Sequence, residues 1–215
     1  MNIIKFLLGA VRYDYRDEFI TALTGGNVHG TACEPGPGTR TVVDTDTPKK
    51  CSISSGKLNM APHSTPAYGN PGFWINEAIT RAAGVMYKGQ LNIADATNQF
   101  LVGFDSGKTG VVSESALWSD SDIIKVYDNN SALAALFIPL DSTDYEILIA
   151  LKSAGAAYFI KDSGIWKFLG NWGTNNTATL YAGIANYNVT LTSEYLRLPQ
   201  ERFLPIPLAS DNFTR

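Results

Sequence analysis

The chain of 215 residues carries 17 basic and 20 acidic side chains, a formal net charge of −3, and is 45% hydrophobic against 17% charged. That apolar fraction is enough to offset chain entropy in one large β domain, which excludes a disordered chain. With no cationic excess there is no field to attract phosphate backbones or anionic lipid, so nucleic acid is not an expected partner.

Residues 1–15 read as an N-terminal arm. Its apolar stretch, Ile3, Ile4, Phe6, Leu7 and Leu8, is interrupted by Lys5 and is shorter than the roughly 20 apolar residues of a membrane span. It has neither a basic region ahead of it nor a small-x-small cleavage site, and so makes a poor secretory leader. Burying one residue of this kind stabilises by roughly 1.5–3 kcal/mol, so the arm is expected to hold an assembly contact between copies of the chain.

Gly25 to Gly38 is rich in Gly, Pro and Thr and reads as a long loop. Strand-like runs follow at Thr41 to Asp44, Lys57 to Ala61, Ala78 to Ala82, Val85 to Ile93 and Gln99 to Asp105. Further runs are Asp122 to Asp128, Tyr145 to Lys152, Ala156 to Asp162, Ile165 to Leu169, Thr179 to Ile184 and Val189 to Leu198. Val85, Tyr87, Gly89, Leu91 and Ile93 alternate with Met86, Lys88, Gln90 and Asn92, as in a strand with one buried face. Tyr145 to Leu151 is nearly continuous apolar, as expected of a strand covered on both sides. Val189 to Leu198 alternates only weakly. Turn sequences such as Asp105-Ser106-Gly107-Lys108 and Asp162-Ser163-Gly164 favour hairpins.

The expected fold is therefore all-β, an antiparallel two-sheet β-sandwich or jelly roll over residues 16–200. Residues 201–215 form a C-terminal extension in which Ser210-Asp211-Asn212-Phe213 echoes Arg16-Asp17-Glu18-Phe19. The echo suits the start of a repeat or a strand that completes a neighbour's sheet. Cys33 and Cys51, the only cysteines, match neither a zinc site nor a redox motif, and a bridge and a free pair both remain open.

No catalytic residue is expected. Glycan hydrolysis by paired carboxylates needs two of them on one strand face, yet Glu114 stands alone and Glu146 is followed by Ile147, Leu148 and Ile149. The two histidines, His29 and His63, sit in loop-like sequence away from any nucleophile elbow. Acidic pairs next to strand ends offer oxygen ligands for calcium: Asp44 with Asp46, Asp141 with Asp144 and, best placed, Asp120 with Asp122. Turn formation explains each pair without a metal, and no cofactor is expected. Sugar sites combine an aromatic ring with amides, which directs attention to Trp172 with Asn175 and Asn176, and to Trp118 beside Ser119 and Asp120. Trp74 and Trp166 lie inside strand-like runs and read as core.

The phrases Arg16-Asp17-Glu18-Phe19, Glu34 to Val42, Ser52 to Leu58, Thr179 to Ile184 and Leu204 to Asp211 resemble the concanavalin A-like (laminin G-like) jelly-roll modules of bacteriophage structural proteins and large bacterial surface proteins. The resemblance covers most of the chain from Arg16 on and implies a two-sheet jelly roll in a virion appendage or capsid surface. Its partners would be further copies of the chain and other virion proteins, assembled in the host cytoplasm. Its alternative implication is a carbohydrate-binding adhesin, extracellular or at the cell surface, with a surface glycan as partner.

If the arm serves assembly, deleting residues 2–10 leaves a folded chain of lower mass in sedimentation. An unchanged mass with a lower thermal midpoint would instead assign the arm to the chain's own core.

Overall fold

The computed structural model describes residues 13–80, 86–93, 99–110, 113–120, 123–128, 131–132, 144–152, 155–162, 164–173 and 179–199. The strands are β1 (Tyr13–Asp17), β2 (Arg40–Val43), β3 (Cys51–Ser54), β4 (Lys57–Met60), β5 (Gly72–Ile75), β6 (Met86–Ile93), β7 (Phe100–Asp105) and β8 (Ser113–Asp120). They continue as β9 (Ile123–Asp128), β10 (Ser131–Ala132), β11 (Asp144–Leu151), β12 (Ala156–Asp162), β13 (Ile165–Trp172), β14 (Tyr181–Asn186) and β15 (Leu191–Pro199). Two sheets result. An eight-stranded sheet runs β13-β12-β11-β6-β15-β4-β3, with β1 also on β15, and a seven-stranded sheet runs β10-β9-β8-β7-β14-β5-β2. The chain is thus the all-β antiparallel sandwich that its sequence calls for.

Alternation sorts the side chains into layers. Tyr145, Ile147, Ile149 and Leu151 of β11 meet Phe100, Val102, Phe104, Leu117 and Ile184 of the other sheet in one core between the sheets. Leu148 and Ala150 face outward and pack with Ala157, Phe159 and Trp166. Burial on both faces accounts for the unbroken apolar run. The weak alternation of β15 has a local cause: its pairing with β6 shifts between Thr192 and Tyr195. Leu191 and Ser193 are buried ahead of this bulge, Leu196 and Leu198 after it, because an extra residue inverts the phase of the strand.

Other expectations need correction. Of the run Ala78 to Ala82, residues 81–82 lie outside the described residues, and Ile79 forms an isolated bridge to Leu180, anchored by one buried side chain between exposed Ala78 and Thr80. Strands β1, β3, β8 and β10 match none of the strand-like runs, and β5 is the run that holds Trp74. Cys33 and Cys51 are free and buried, and burial pushes both thiols up to about 12, which leaves them unreactive.

Two polar devices fix the loops. Arg40 of β2 donates to Asp17 of β1 from Nε at 2.6 Å and from Nη2 at 2.8 Å, and the two residues are 2% and 0% exposed. Asp17 Oδ1 also accepts the amides of Phe19 and Glu34, and Arg40 Nη1 donates to Thr31. Burial alone would disfavour the guanidinium charge, but Asp17 outweighs it and holds the Arg40 pKa above its ordinary value. In the second device, Asp46 accepts from the Ser64 amide and hydroxyl and lies 3.1 Å from His63 Nε2, tying the loop after β2 to the loop after β4.

Arg40→Met strands a buried carboxylate and should destabilise the fold by about 3–5 kcal/mol in urea unfolding, with much of the loss recovered in Asp17→Asn/Arg40→Met. A single substitution without measurable effect would remove the pair from any role in stability. The hydrogen bonds from Ser64 lower the Asp46 pKa, so its stabilisation is present above the ordinary carboxylate range and is lost as pH falls through the folded value. Asp46→Asn should therefore lower the thermal midpoint at neutral pH, with the gap closing on acidification. A gap independent of pH would contradict this.

Candidate functional site

The outer face of the seven-stranded sheet carries the most concentrated group of aromatic side chains. Inward-facing Phe100, Val102, Phe104, Leu117, Val126 and Ile184 leave Leu101, Ala116, Trp118, Tyr127, Tyr181 and Ala185 on the outside. Trp118 lies opposite Leu101 of β7 and Lys125 of β9, and Ala116 lies opposite Gly103 and Tyr127. Trp74 of β5 lies on this same outer face, 1% exposed. Its indole fills the space that β-carbons at Gly72 and Gly183 would take, so two glycines are needed for the ring to lie flat on the sheet.

One wall is the loop after β7. Buried Asp105 accepts the amides of Gly107 at 2.6 Å, Thr109 at 3.4 Å and Gly110 at 2.8 Å. The loop thereby folds back onto the sheet, where a β-carbon at Gly110 would strike Ala185. Lys108, at its tip, has a φ of 55°, in the left-handed region uncommon for a residue with a side chain. Its Nζ donates to Asn76 Oδ1 at 2.7 Å and lies 4.1 Å from the Tyr181 ring centroid.

Tyr68 supplies the other wall. Its ring stands 4.7 Å from Tyr187, its hydroxyl donates to Gln99 and it accepts from Trp118 Nε1 at 3.0 Å. Tyr127 meets Trp118 edge-on at 5.6 Å, and Lys125 Nζ lies 4.9 Å from the Trp118 ring centroid. Tyr68, Leu101, Gly110, Trp118 and Tyr127 line a cleft of about 240 Å³. Its lining is mostly aromatic, and Lys125 stands over the Trp118 ring beside it. A second crevice of about 250 Å³, between Ala22–Thr24 and Ser52–Ser54, has no aromatic or charged lining.

Among the residues singled out from the sequence, Trp118 lies in this cleft and Trp172 does not. Trp172 ends β13 of the other sheet, packs on the inter-sheet core and faces Tyr158 at 6.2 Å. Its neighbours Asn175 and Asn176 lie outside the described residues, as do Asp122, Asp141, Ile3, Ile4, Phe6, Leu7 and Leu8. Asp120, Glu114 and Asp144 fall within strands, with side chains outside the description. Asp44 accepts the amides of Asp46, Lys50 and Cys51 and so serves as a turn cap. Glu146 sits in the eight-stranded sheet, bonded to Lys161 and Tyr195. His29 accepts the Val42 amide, and His63 belongs to the Asp46 clamp. Tyr68, Lys108, Lys125, Tyr127 and Tyr181 escaped the sequence reading. Only the alternation of Lys125 and Tyr127 around buried Val126 pointed to a shared exposed face.

No family model matches the chain, and no curated protein matches its sequence. Its structure is similar to the Ca2+-bound exoplasmic/lumenal domain of VIP36, with a TM-score of 0.58 and 10% identity over 86% of this chain and 92% of that one. It is similar to a β-1,3-glucanase from Mycobacterium marinum, with a TM-score of 0.54 and 10% identity over 88% and 100%. It is also similar to a chain solved in connection with endo-acting O-glycanases that human gut microbiota express to initiate mucin breakdown, with a TM-score of 0.60 and 9% identity over 87% and 99%. Likeness at such identities concerns the fold alone, and that fold is the concanavalin A-like lectin/glucanase jelly roll.

Proposed function

We propose that the protein is a non-hydrolytic carbohydrate-binding module whose site is the Trp118 cleft. The observation that carries this reading is the grouping of Tyr68, Trp118 and Tyr127 around one opening on the sheet face. Aromatic rings present flat apolar surface to the C–H face of a pyranose, while hydroxyls and ammonium groups at the rim bond its oxygens. VIP36 has been crystallised with mannose and Man3GlcNAc, which supports a glycan as the partner class. A secreted or surface setting follows from such a partner. Among the described residues no helix is long and apolar enough to cross a membrane. The virion role and self-assembly expected from the sequence have no counterpart among the similar proteins named above.

Binding without cleavage is favoured by the bonding of the one cleft-wall carboxylate whose side chain is described. A retaining glycosidase places two carboxyl groups about 5 Å apart at the scissile bond. Asp105, the described carboxylate of the cleft wall, directs its oxygens to the amides of its own loop.

Trp118→Ala should weaken retention on an immobilised glycan panel by about tenfold or more, the scale of a buried aromatic anchor, with the thermal midpoint nearly kept. Trp172→Phe should leave retention intact. Equal retention by wild type and Trp118→Ala would move the site elsewhere, and release of reducing ends from β-1,3-glucan would overturn the non-hydrolytic reading.

A further inference from the structure

We propose that residues 204–208 of one copy of the chain pair, as an added strand, with the open edge of β13 in a second copy. The edge belongs to the eight-stranded sheet, away from the Trp118 cleft on the other sheet, so the contact stands or falls apart from glycan binding.

β13 ends one side of the eight-stranded sheet, and among the described residues β12 is its only strand partner. The edges at β3 and β2 are occupied. Ile53 of β3 exchanges both backbone bonds with Leu23, at 2.8 and 2.9 Å. The Arg40 amide of β2 donates to Thr31, its carbonyl accepts from Gly30, and the Val42 amide is taken by His29. β13 has eight residues, of which Ile165 is 66% and Phe168 48% exposed. Phe168 leans on Phe159 and Trp166 packs on the outward cluster, so both lie on the outer face. Folded proteins cover or blunt a long edge that bears exposed apolar side chains, because its outward N–H and C=O groups invite another strand.

The occupant is identified by its chemistry and its reach. Residues 204–208 read Leu-Pro-Ile-Pro-Leu and lie outside the described residues. Successive residues of an extended strand direct their backbone groups to opposite edges and their side chains to opposite faces. Two prolines spaced two apart therefore remove donors from one edge only. Leu204, Ile206 and Leu208 keep theirs on the other edge and share one face, which suits the outer face of Trp166 and Phe168. Such a strand pairs on one side and blocks further addition on the other, and so seals an edge. Its own β13 is out of reach. β15 ends at Pro199, at the same end of the sheet as Asn171 of β13, through the pairs Arg197 with Lys88, Met86 with Ala150, Ala150 with Ala157 and Ala157 with Asn171. From β15 to a strand outside β13 is five strand spacings, roughly 24 Å. The five Cα steps from Pro199 to Leu204 span roughly 18 Å at full extension. The contact thus joins the tail of one copy to the edge of the next, and a contact between unlike surfaces propagates into a ring or a filament.

The test is sedimentation of the full chain from micromolar to millimolar concentration. The wild type should associate as concentration rises. Ile206→Pro removes a donor from the pairing edge of the tail, and Phe168→Lys sets a charge on β13. Each should weaken association by about tenfold or more, with the thermal midpoint at low concentration unchanged. Pro207→Ala alters only the far edge and should associate at least as well as the wild type. Because the surfaces are unlike, an equimolar mixture of Ile206→Pro and Phe168→Lys should recover a dimer that neither variant forms alone. A wild type that stays monomeric throughout, association untouched by Ile206→Pro, or a mixture without the dimer overturns the proposal. A lower midpoint in monomeric Ile206→Pro places the segment in its own chain's fold and overturns it as well.

Discussion

Asp17 and Arg40 stand on strands of different sheets, and neither charge reaches water. Either one alone would carry a desolvation penalty of several kcal/mol, so β1 and β2 can be buried together only if the two groups meet in a bidentate pair. The consequences extend along the sheet. Arg40 begins β2, whose Thr41 and Val42 lie opposite Trp74 and Phe73 of β5. Phe73 enters the core and Trp74 lies on the outer face. The register that pairs Arg40 with Ile75 therefore also sets where the Trp74 indole lies on the outer aromatic face. Beside the buried pair, Glu18 and Arg197 form a second bidentate contact at 2.7 Å, which aligns β1 with β15 from the solvent side.

Much of the sandwich was legible because its long strands obey simple periods. β6 alternates with Leu91 in the core, and β11 is apolar on both faces because both faces are covered. The strands that escaped notice have different chemistry. β1 reads Tyr-Asp-Tyr-Arg-Asp, and the burial of its Asp17 is tolerated only because Arg40, far along the chain, neutralises it. β8 reads Ser-Glu-Ser-Ala-Leu-Trp-Ser-Asp, and its buried Ser115 and Ser119 look solvent-facing in a linear pattern. In β15 the bulge superimposes two opposite phases, so no single period describes the strand.

The site was less legible than the fold. Tyr68 lies in a loop and Trp118 in a strand, and the bond between them exists only because the loop after β4 returns over the sheet. Tyr127 reaches Trp118 through the pairing of β8 with β9, which a one-dimensional search for an aromatic beside amides does not detect. The same search favours Trp172 with its neighbours Asn175 and Asn176, which lie outside the described residues. Opposite Ala156 at the end of β13, however, the Trp172 ring turns inward onto the core. Local composition identifies an aromatic beside amides, and the sheet face on which it emerges decides whether it meets the core or an open cleft.

The relation of site to fold follows from the same distinction. Neighbours at 9 or 10% identity share the sandwich, because inward positions need only apolar volume in alternation and many sequences provide it. Outward positions escape that demand, so the chemistry of an outer face is free to differ between chains of one fold. On this chain the outer face of the seven-stranded sheet holds Trp118 at its indole N–H, its edge and one ring face, through Tyr68, Tyr127 and Lys125. A surface ring constrained in this way loses little rotamer freedom when a ligand arrives, so more of each contact appears as affinity. The outer patch of the other sheet is built differently. Its Phe168, 48% exposed, leans on Phe159, and its Lys161, 6.0 Å from the Trp166 ring centroid, is tied to Glu146, which also accepts from the Tyr195 hydroxyl. The two outer faces of one sandwich thus differ: on one a tryptophan ring is held from three sides, and on the other the lysine beside the tryptophan is tied to a carboxylate.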